Sequence, residues 1–346
     1  KKSSMDIVNW GIIGLGNIAQ KFAEGFKNID NAKLLGITSR DDKKLQKFKE
    51  DFRIDDKYCF NNYQSMINCS DIDIVYIALP NSLHYEWIVK CIESKKKILV
   101  EKPATLNFSQ IKDIKNKLLN KDLFFTEGFM YRYHPQLIKV IDIIKKNTIG
   151  ELVSMESFFG IDILTKKNLF GFKKKKKIDK NKRIYNKKLG GGAILDLGCY
   201  PVSISQLIAS LIPNIDISNF LLINKKKEIG STDVDIDAYA ELQFDNKFTC
   251  VIASSFKENL GKKTRIIGKK GEILIENTWH GDPSIIKVQE KKNYEINIEA
   301  NDNIFSYEIK NISNSILMGK KETDYPGMSL SETLLNMKIL EEWLND

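Results

Sequence analysis

The chain has 346 residues, of which 42% are hydrophobic and 29% are charged, and its formal net charge is +9. These values exclude an intrinsically disordered chain, and the length exceeds what one hydrophobic core usually serves, so we expect two domains. No apolar run approaches the roughly 20 residues that a bilayer-spanning helix needs, and the first residues lack a signal-peptide cleavage region, so we expect a cytoplasmic protein.

The first part of the chain alternates short apolar runs with helical patterns. Strands are predicted at IVNWGIIG, AKLLGITS, DIDIVYIAL, KKILVE and LFFTEGF, and helices at 17–27, 41–52, 84–94 and 109–119. Strands that alternate with helices at this spacing imply a parallel sheet with right-handed crossovers and helices on both faces. We therefore predict a doubly wound α/β domain over residues 1–125.

The pattern changes in the second part. A predicted helix at 134–146 leads to LVSMESFFG, then to a basic stretch and to a helix at about 193–211. AYAELQF and FTCVIASSF meet across Asp245 and Asn246, and TRIIG and EILIEN meet across a Gly-Lys-Lys-Gly turn, so both pairs are predicted antiparallel hairpins. We predict an α+β domain over 126–328 and a closing helix within 329–346 that packs on the body of the protein.

The positive charge is concentrated in one basic stretch of the predicted second domain. Lys173–Lys177 and the lysines that follow show no apolar periodicity, which is typical of a solvated loop. Binding of nucleic acid is disfavoured, because stacking aromatic residues do not interleave with these lysines.

The cysteines give no sign of a disulfide framework. They are odd in number and scattered, without a C-x-x-C pair, so we expect reduced thiols. With no Cys/His cluster and only scattered carboxylates, we also expect no metal. The cysteines are Cys59, Cys69, Cys91, Cys199 and Cys250.

A glycine motif follows the first predicted strand. Gly14, Gly16 and Ala19 form G-x-G-x-x-A between a strand and a helix, which is the context of the dinucleotide-binding fingerprint. Gly14 allows the tight turn, Gly16 leaves room for a pyrophosphate, and Ala19 lets helix and strand pack closely. The helix N-terminus at Asn17 and Ile18 offers N–H groups and a positive dipole to the phosphates. The alternative is a strand-to-helix turn that merely needs small residues, but the surrounding alternation favours cofactor binding.

The second predicted strand ends in GITSRDD, where the choice between NAD and NADP is made. Ser39 supplies a hydroxyl, and Arg40 supplies a guanidinium that can hold a 2′-phosphate and stack on adenine. Asp41 and Asp42 can instead begin a helix, where carboxylates favour the dipole. We predict a preference for NADP, with NAD possible.

Three further sequence features belong with this motif. Glu101 ends the predicted strand KKILVE, with Lys102 and Pro103 directly after it, and Pro80, Asn81 and His84 follow the predicted strand DIDIVYIAL. Both sets lie at the carboxyl edge of the sheet, where ligands bind, so we expect Pro80, Asn81, His84, Glu101 and Lys102 to contact the cofactor. Three glycines precede a predicted helix on which Asp196 and Tyr200 are four positions apart, on one helical face.

Together these motifs resemble the Gfo/Idh/MocA family of oxidoreductases over essentially the full chain. The motifs are GLGNIA, EKP, EGFMYRYHPQ and GGGAILDLGCYPV, and the Asp-x-x-x-Tyr pattern is similar to the branch that contains dihydrodiol and xylose dehydrogenases. The inositol dehydrogenase branch typically carries His where Tyr200 stands. The resemblance implies a Rossmann domain, a second domain with a large, mostly antiparallel sheet, a nicotinamide cofactor, and association into dimers or tetramers through the outer face of that sheet.

Hydride transfer at a hydroxyl or carbonyl carbon requires positioning and the handling of one proton. A phenol is a poor base near neutrality, but a neighbouring ammonium favours phenolate. We therefore assign proton transfer to Tyr200 and the tuning of that phenol to Lys102, with Asp196 orienting substrate hydroxyls or holding Lys102; the resemblance supports the first two roles. Taken singly, these residues can also be a solvated lysine and a core tyrosine.

The histidines and the arginine beside one of them carry less information. His84 can touch the nicotinamide side, cap a helix or pack, and His280 fits a turn. Arg132 and His134 are candidates to face an anionic or hydroxylated substrate, because the resemblance places them near the domain junction.

The predicted substrate is a sugar or related polyol, and three alternatives stay open. The first is a catalytically silent NADP-binding regulator of the same fold, and the presence of both Lys102 and Tyr200 argues against it. The second is a reductase of nucleotide sugars whose phosphates meet the basic stretch 169–189. The third is a nucleic-acid binder that uses the lysine run, which the salt dependence of binding would expose.

Overall fold

A computed structural model describes residues 7–169 and 171–345, so residues 1–6, on which the signal-peptide argument partly rests, and Phe170 of the basic stretch lie outside the described residues. The chain forms two compact units. The first comprises Lys1–His134 and Asn301–Leu334, and the second comprises Pro135–Ala300 and Leu335–Asp346. This division differs from the predicted boundaries, because Phe125 begins a strand of the first sheet and the segment after residue 300 returns to the first unit.

The described part of the first unit contains a parallel sheet of six strands in the order β3-β2-β1-β4-β5-β6. This is the strand order of dinucleotide-binding folds, and it confirms the predicted doubly wound domain. The central strands are buried on both faces, as their unbroken apolar runs require. The strands are β1 (Val8–Ile13), β2 (Ala32–Thr38), β3 (Cys59–Phe60), β4 (Ile74–Ile77), β5 (Lys97–Glu101) and β6 (Phe125–Gly128).

Helices connect these strands. Asp41 caps the second helix by accepting hydrogen bonds from the backbone N–H groups of Lys43 and Lys44, so the interpretation of Asp41 as part of a helix start is confirmed. The helices are α1 (Asn17–Glu24), α2 (Asp42–Phe52), α3 (Tyr63–Ile67), α4 (Asn81–Glu93) and α5 (Phe108–Leu118).

Strand register brings four turns to one edge of the first sheet. Ile13 lies opposite both Thr38 and Ile77. Ile77 in turn lies opposite Val100. Because the strands are parallel, the turns after β1, β2, β4 and β5 emerge together at the carboxyl edge, where such folds bind ligands.

The second unit is built on a large sheet in the order β10-β11-β12-β7-β13-β14-β15-β16. Its pairs are antiparallel except β12 with β7, which confirms a mostly antiparallel sheet. The strands are β7 (Leu152–Gly160), β10 (Phe220–Ile229), β11 (Asp235–Phe244), β12 (Phe248–Ser255), β13 (Thr264–Gly268), β14 (Gly271–Ile275), β15 (Ile285–Gln289) and β16 (Tyr294–Asn297), with β8 (Thr165–Lys167) and β9 (Lys173–Lys175) outside this sheet.

Both predicted hairpins of the large sheet are confirmed. β11 and β12 meet at Asp245 and Asn246, which both have positive φ angles as a type I′ turn requires. β13 and β14 pair as predicted around Gly268 and Gly271. The basic stretch differs from a plain loop, because Lys173–Lys175 form β9, which pairs with β8 just before the stretch as a separate hairpin.

The predicted helix over 193–211 begins with a π-helical turn, Ile194–Gly198, and continues as α7 (Cys199–Ala209). We call Ile194–Ala209 the site helix. Residues 187–209 are long and apolar enough to cross a membrane by length and composition, contrary to the expectation from the sequence, but 94% of that window is buried inside the structure, as a core helix is. The unit also contains α6 (Pro135–Lys145).

Two helices complete the chain. α8 (Ile304–Leu317) belongs to the first unit and was missed by the sequence analysis, whereas α9 (Leu330–Leu344) was predicted. Within the second unit, the buried ring of Trp343 lies against Gly198 of the site helix, where a Cβ atom would come within 2.9 Å of it. This contact joins the C-terminal part of α9 to the site helix.

Candidate active site

The turn after β1 leaves open space in front of a helix N-terminus. Gly14 has a φ of +91°, and a Cβ there would lie 2.9 Å from the carbonyl oxygen of Ala78, so this position requires glycine. Gly16 differs, because a Cβ there would meet nothing within 4 Å. In the described residues no side chain is bonded to the first N–H groups of α1, at Asn17 and Ile18. The residues present therefore fit the diphosphate of a dinucleotide.

The turn after β2 carries the predicted 2′-phosphate residues. Ser39 is buried, and its Oγ accepts a hydrogen bond of 3.1 Å from the backbone N–H of Asp41, which leaves its O–H to donate. Arg40 is exposed, and its guanidinium lies 4.8 Å from the centre of the Tyr63 ring. Tyr63 is itself packed edge-on against Trp87, with 5.0 Å between ring centroids. This aromatic support orients Arg40, and the sequence analysis did not identify it.

The turn after β5 places Lys102 at the same edge. Its backbone N–H donates to Glu101 Oε2 over 3.2 Å, and Tyr76 donates its hydroxyl proton to Glu101 Oε1 over 2.5 Å. Glu101 and Lys102 are both half-buried. Glu101 thus fixes the backbone from which Lys102 projects, with Tyr76 as a partner that the sequence analysis missed.

His84 connects the turns after β4 and β5. Its ring is fully buried, with Nδ1 2.9 Å from the carbonyl oxygen of Pro103 and Nε2 2.8 Å from that of Leu79. Both contacts are hydrogen bonds when the ring carries two protons. Because both nitrogens face protein carbonyls, His84 is a positioning residue for the Lys102 turn, and its contact with a cofactor stays a prediction. Pro80 is exposed and precedes α4, and Asn81 is the buried first residue of that helix.

Two buried carboxylic acids lie near this turn in the first unit. Glu127 accepts the Ala104 N–H over 2.8 Å, and burial raises its pKa to about 7. Burial also raises the pKa of Glu308 on α8, and the negative charge of Glu101 raises it further. Glu308 reaches over Gly128, the residue paired with Glu101 across β5 and β6, where a Cβ would lie 3.6 Å from Glu308 Oε1. Burial thus favours the neutral acids at both positions.

The site helix presents the second group of predicted residues. Asp196 lies in the π-helical turn, a feature that recurs at functional sites, and its Oδ1 accepts a 2.7 Å ion-paired hydrogen bond from Arg183. Tyr200 is 6% exposed, and its ring packs against Phe159 and Trp279 with centroid distances of 5.3 and 5.4 Å. The aromatic cluster fixes the ring of Tyr200 within the second unit.

A buried carboxylate from β11 holds the start of this helix. Asp235 Oδ2 accepts the backbone N–H of Ile194 over 2.6 Å, and Asp235 is 3% exposed. Gly192 has a φ of +112°, and a Cβ there would collide with Asp235 Oδ1. Burial raises the pKa of Asp235, although hydrogen bonds from backbone N–H groups oppose the shift. The cap comes from a strand distant in sequence, so no local motif could have identified it.

Two predicted substrate residues are buried in the first unit instead. Arg132 is fully buried, and its Nη1 donates to Glu332 over 2.8 Å and to the carbonyl oxygen of Pro326 over 3.1 Å. His134 is 2% exposed, packs edge-on against Tyr307, and has a pKa lowered to about 4 by burial. These contacts lie within the first unit, and a role of either residue toward a substrate stays a prediction.

The remaining predictions concern His280 and the cysteines. His280 is exposed in a turn, as predicted. None of the five cysteines forms a disulfide bond. Within residues 7–169 and 171–345, no group of three or more His, Cys, Asp or Glu side chains is placed to hold a metal ion.

Comparison with known proteins gives matches over most of the chain. Residues 8–129 match the family model of an oxidoreductase family with an NAD-binding Rossmann fold, GFO_IDH_MocA, and residues 137–274 match the C-terminal domain model of the same family. A trans-1,2-dihydrobenzene-1,2-diol dehydrogenase of Xenopus tropicalis is 25% identical over 343 residues, which cover 97% of this chain and 96% of that protein.

Solved structures share the fold at low sequence identity. An aldose-aldose oxidoreductase from Caulobacter crescentus, complexed with glycerol, superposes with a TM-score of 0.83 at 19% identity, covering 97% of this chain and 96% of that one. A 3-ketoreductase from Actinomadura kijaniata, in complex with NADP and TDP-benzene, superposes with a TM-score of 0.79 at 21% identity and the same coverage.

Proposed function

Because this chain belongs to the GFO/IDH/MocA family of oxidoreductases, with a nicotinamide dinucleotide-binding Rossmann domain, we propose that it is an NADP-dependent dehydrogenase or reductase of sugars or related polyols. The observation that carries the proposal is the open, uncapped N-terminus of α1 behind Gly16. Arg40 follows β2 and Lys102 follows β5, so the two residues emerge at the same sheet edge on opposite sides of the turn after β1. The arrangement supplies a phosphate site, a 2′-phosphate site and a cation in one row.

The choice of NADP over NAD rests on Ser39 and Arg40. A guanidinium holds a phosphate by two parallel hydrogen bonds, and the Ser39 hydroxyl is free to add a third donor. Asp41 does not compete for a ribose hydroxyl, because its carboxylate caps α2. Tyr63 keeps the guanidinium plane in place beneath the site.

In the proposed reaction the nicotinamide supplies or accepts the hydride when it is bound. The protein must then move one proton to or from the substrate oxygen and hold that oxygen in place. We assign the proton to the Tyr200 hydroxyl and the stabilisation of a developing oxyanion to the Lys102 ammonium.

Asp196 has a positioning role in this scheme. Its carboxylate is engaged by Arg183, which orients it and offsets its charge. A carboxylate held in this way accepts hydrogen bonds from substrate hydroxyls, as a sugar or polyol provides. Asp235 and Gly192 keep the helix start, and therefore Asp196, in register.

The substrate class draws on the relatives. Relatives that span nearly the whole chain are named as dehydrogenases of a diol, and a structural neighbour is named an aldose-aldose oxidoreductase. We propose a hydroxyl-bearing carbon of a sugar or related polyol as the reacting centre. We also propose a cytoplasmic protein that forms homodimers or homotetramers, because the outer face of the large sheet carries the half-exposed apolar residues Val251, Ile267 and Leu274.

The test is turnover with variants that separate binding from chemistry. Purified protein is given NADP with D-xylose, D-glucose or a trans-dihydrodiol, or NADPH with the corresponding carbonyl compounds, and nicotinamide absorbance is followed. We expect turnover with at least one pair, loss of turnover in Lys102→Met, and unchanged NADP affinity in that variant. Binding of neither NADP nor NAD by the wild-type protein would falsify the proposal.

A further inference from the structure

The positive charge of the chain belongs to one segment of the second unit. The basic segment, residues 165–188, contains twelve lysines and arginines and one acidic residue, for a formal charge of +11 against +9 for the whole chain. The remaining residues therefore carry a net charge of −2. A preference for lysine along the whole chain would make the other residues positively charged as well, and they are not. The concentrated charge of this segment therefore indicates an anionic ligand.

The fold of the basic segment places positively charged side chains next to one another. Lys166 lies directly opposite Lys174 across the β8–β9 hairpin, and Lys167 lies opposite Lys173. Like charges in such cross-strand pairs are destabilising. Across residues 7–169 and 171–345, ion pairs are found for two of the segment's cations, Lys173 with Asp162 and Arg183 with Asp196. A bound anion would relieve this repulsion.

A cavity of about 420 Å³ lies between this hairpin and the ends of the large sheet, entirely within the second unit. This volume is within the range of small-molecule sites. Its walls are mostly apolar and its rim is cationic. The lining residues that the argument uses are Tyr185, Ile178, Ile229 and Ile236 for the walls and Lys175 and Lys176 for the rim.

At the rim of the cavity, Lys175 and Lys176 are the lysines that can bind a ligand. Glu228, the acidic residue among the lining residues, forms a 2.8 Å ion pair with Lys257, another lining residue. No ion pair to Lys175 or Lys176 occurs in the described part of the chain. A ligand that fills the apolar walls and offers an anion at the rim therefore matches both halves of the site.

We propose that this cavity is a binding site for an organic phosphate, whose phosphoryl group is held by Lys175 and Lys176 and whose apolar or aromatic body lies against Ile178, Ile229 and Ile236. Lysine binds phosphate as a point charge, which suits exposed and adjustable side chains. Tyr185 offers an aromatic ring as one wall. The inference concerns the second unit and goes beyond the proposed reaction.

The cavity is connected to the site helix through two residues. Ile236 lines the cavity, and the preceding residue, Asp235, caps the helix start. Tyr185 lines the cavity, and Arg183, two residues earlier, pairs with Asp196. Arg183 and Tyr185 lie in one turn, and this turn packs against the glycines that precede the site helix. A Cβ on Gly191 would lie 2.6 Å from the carbonyl oxygen of Arg183. An occupied cavity therefore rigidifies the segment that orients Asp196.

The test is calorimetric binding to the full chain with NADP present at saturation, so that the nicotinamide site is already filled. The probes are uridine 5′-diphosphate, phenyl phosphate and inorganic phosphate. We expect both organic phosphates to bind and to compete with each other. Inorganic phosphate should bind at least about tenfold more weakly, because it lacks an apolar body that contacts the walls of the cavity. Tighter binding of uridine 5′-diphosphate than of phenyl phosphate would identify a nucleotide as the source.

A matched pair of variants separates the cavity from general electrostatics. Lys175→Glu/Lys176→Glu reverses two cavity-lining lysines, and Lys174→Glu/Lys177→Glu makes the same charge change at lysines that do not line it. We expect roughly tenfold or greater loss of organic phosphate binding in the first variant and roughly twofold or smaller loss in the second.

Equal losses in both variants, or wild-type protein that binds neither organic phosphate, would overturn the proposal. A preference for anionic phospholipid vesicles or single-stranded RNA over both small probes would overturn it as well. NADP affinity and turnover are measured on the same samples. If they persist while the probes fail to bind, this inference falls and the proposed function stands.

Discussion

Two helices in this protein begin directly after glycine turns, and the two turns serve opposite purposes. At α1 no described side chain caps the first N–H groups, and the space beside Gly16 is open. At the site helix the N–H of Ile194 is bonded to the buried Asp235 carboxylate, which fills the space beside Gly192. The first N-terminus is available to an external anion, and the second already holds a carboxyl group of the protein.

The difference shows what a glycine-rich turn does and does not indicate. Both turns are similar in the sequence, because each contains closely spaced glycines directly before a helix. The distinction depends on a residue of β11, which lies far along the chain from both turns. Substitutions on the two sides of this comparison should therefore separate ligand binding from stability.

The largest effect, a loss of catalytic activity, is expected from substitution of Tyr200 on the site helix. Tyr200→Phe removes the hydroxyl and keeps the ring packed against Phe159 and Trp279. We expect kcat/KM to fall by about 10²–10⁴, the usual contribution of general acid–base catalysis, with NADP affinity unchanged. Steady-state kinetics and calorimetry on the same preparation measure both, and near-normal turnover would assign the proton to another group.

Gly192→Ala tests the filled helix start. The new Cβ would require a strained backbone and would collide with Asp235, so we expect the free energy of unfolding to fall by about 3 kcal/mol. Urea denaturation measures the change. The fraction that remains folded should bind NADP with wild-type affinity, because the substitution lies in the second unit. A variant as stable as the wild type would contradict the packing of Gly192 on Asp235.

Arg40→Ala tests the proposed site for the 2′-phosphate of NADP. Loss of charge-assisted hydrogen bonds to a 2′-phosphate should lower the NADP-to-NAD ratio of kcat/KM by roughly 10–100-fold. Tyr63→Leu is the companion variant, and it should lower the ratio less, because it removes the support of the guanidinium and leaves the charge. An unchanged ratio in Arg40→Ala would show that the 2′-phosphate is bound elsewhere.

Gly16→Ala tests the open helix start itself. Because a Cβ at this position meets no protein atom, we expect the free energy of unfolding to change by less than about 0.5 kcal/mol. NADP affinity should fall by about tenfold, since the methyl group occupies the space of the diphosphate. The opposite pattern, lower stability with full affinity, would make this turn structural like the one at Gly192.

The smallest effect is expected from Asp235→Asn, which keeps an acceptor for the Ile194 N–H and removes the charge. Burial raises the pKa of Asp235 in the folded protein, so its ionised form is disfavoured there. Wild-type stability should therefore fall as the pH rises through that pKa, and the Asn variant should lack this loss. We expect a difference of about 1 kcal/mol between denaturation at low and neutral pH. If the free energy of unfolding depended on pH in the same way in the wild type and in Asp235→Asn, this prediction would be wrong.

The sequence predicted the parts of the molecule that depend on local pattern. The strand–glycine–helix order identified β1, Gly14, Gly16 and α1, and short polar turns identified the hairpins of the large sheet. It could not show that Arg132 pairs with Glu332 or that both nitrogens of His84 face carbonyls, because these partners lie far apart in the chain or in a later turn. The return of residues 301–334 to the first unit likewise depends on contacts between residues distant in the chain.

The central claim is that the open turn of the first unit receives NADP, and calorimetric titration of the purified chain with NADP and with NAD tests it most directly. The account predicts one NADP bound per chain, more tightly than NAD, with the NADP affinity reduced in Gly16→Ala and retained in folded Gly192→Ala. If neither dinucleotide binds, or if Gly16→Ala binds NADP as the wild type does, the claim is wrong.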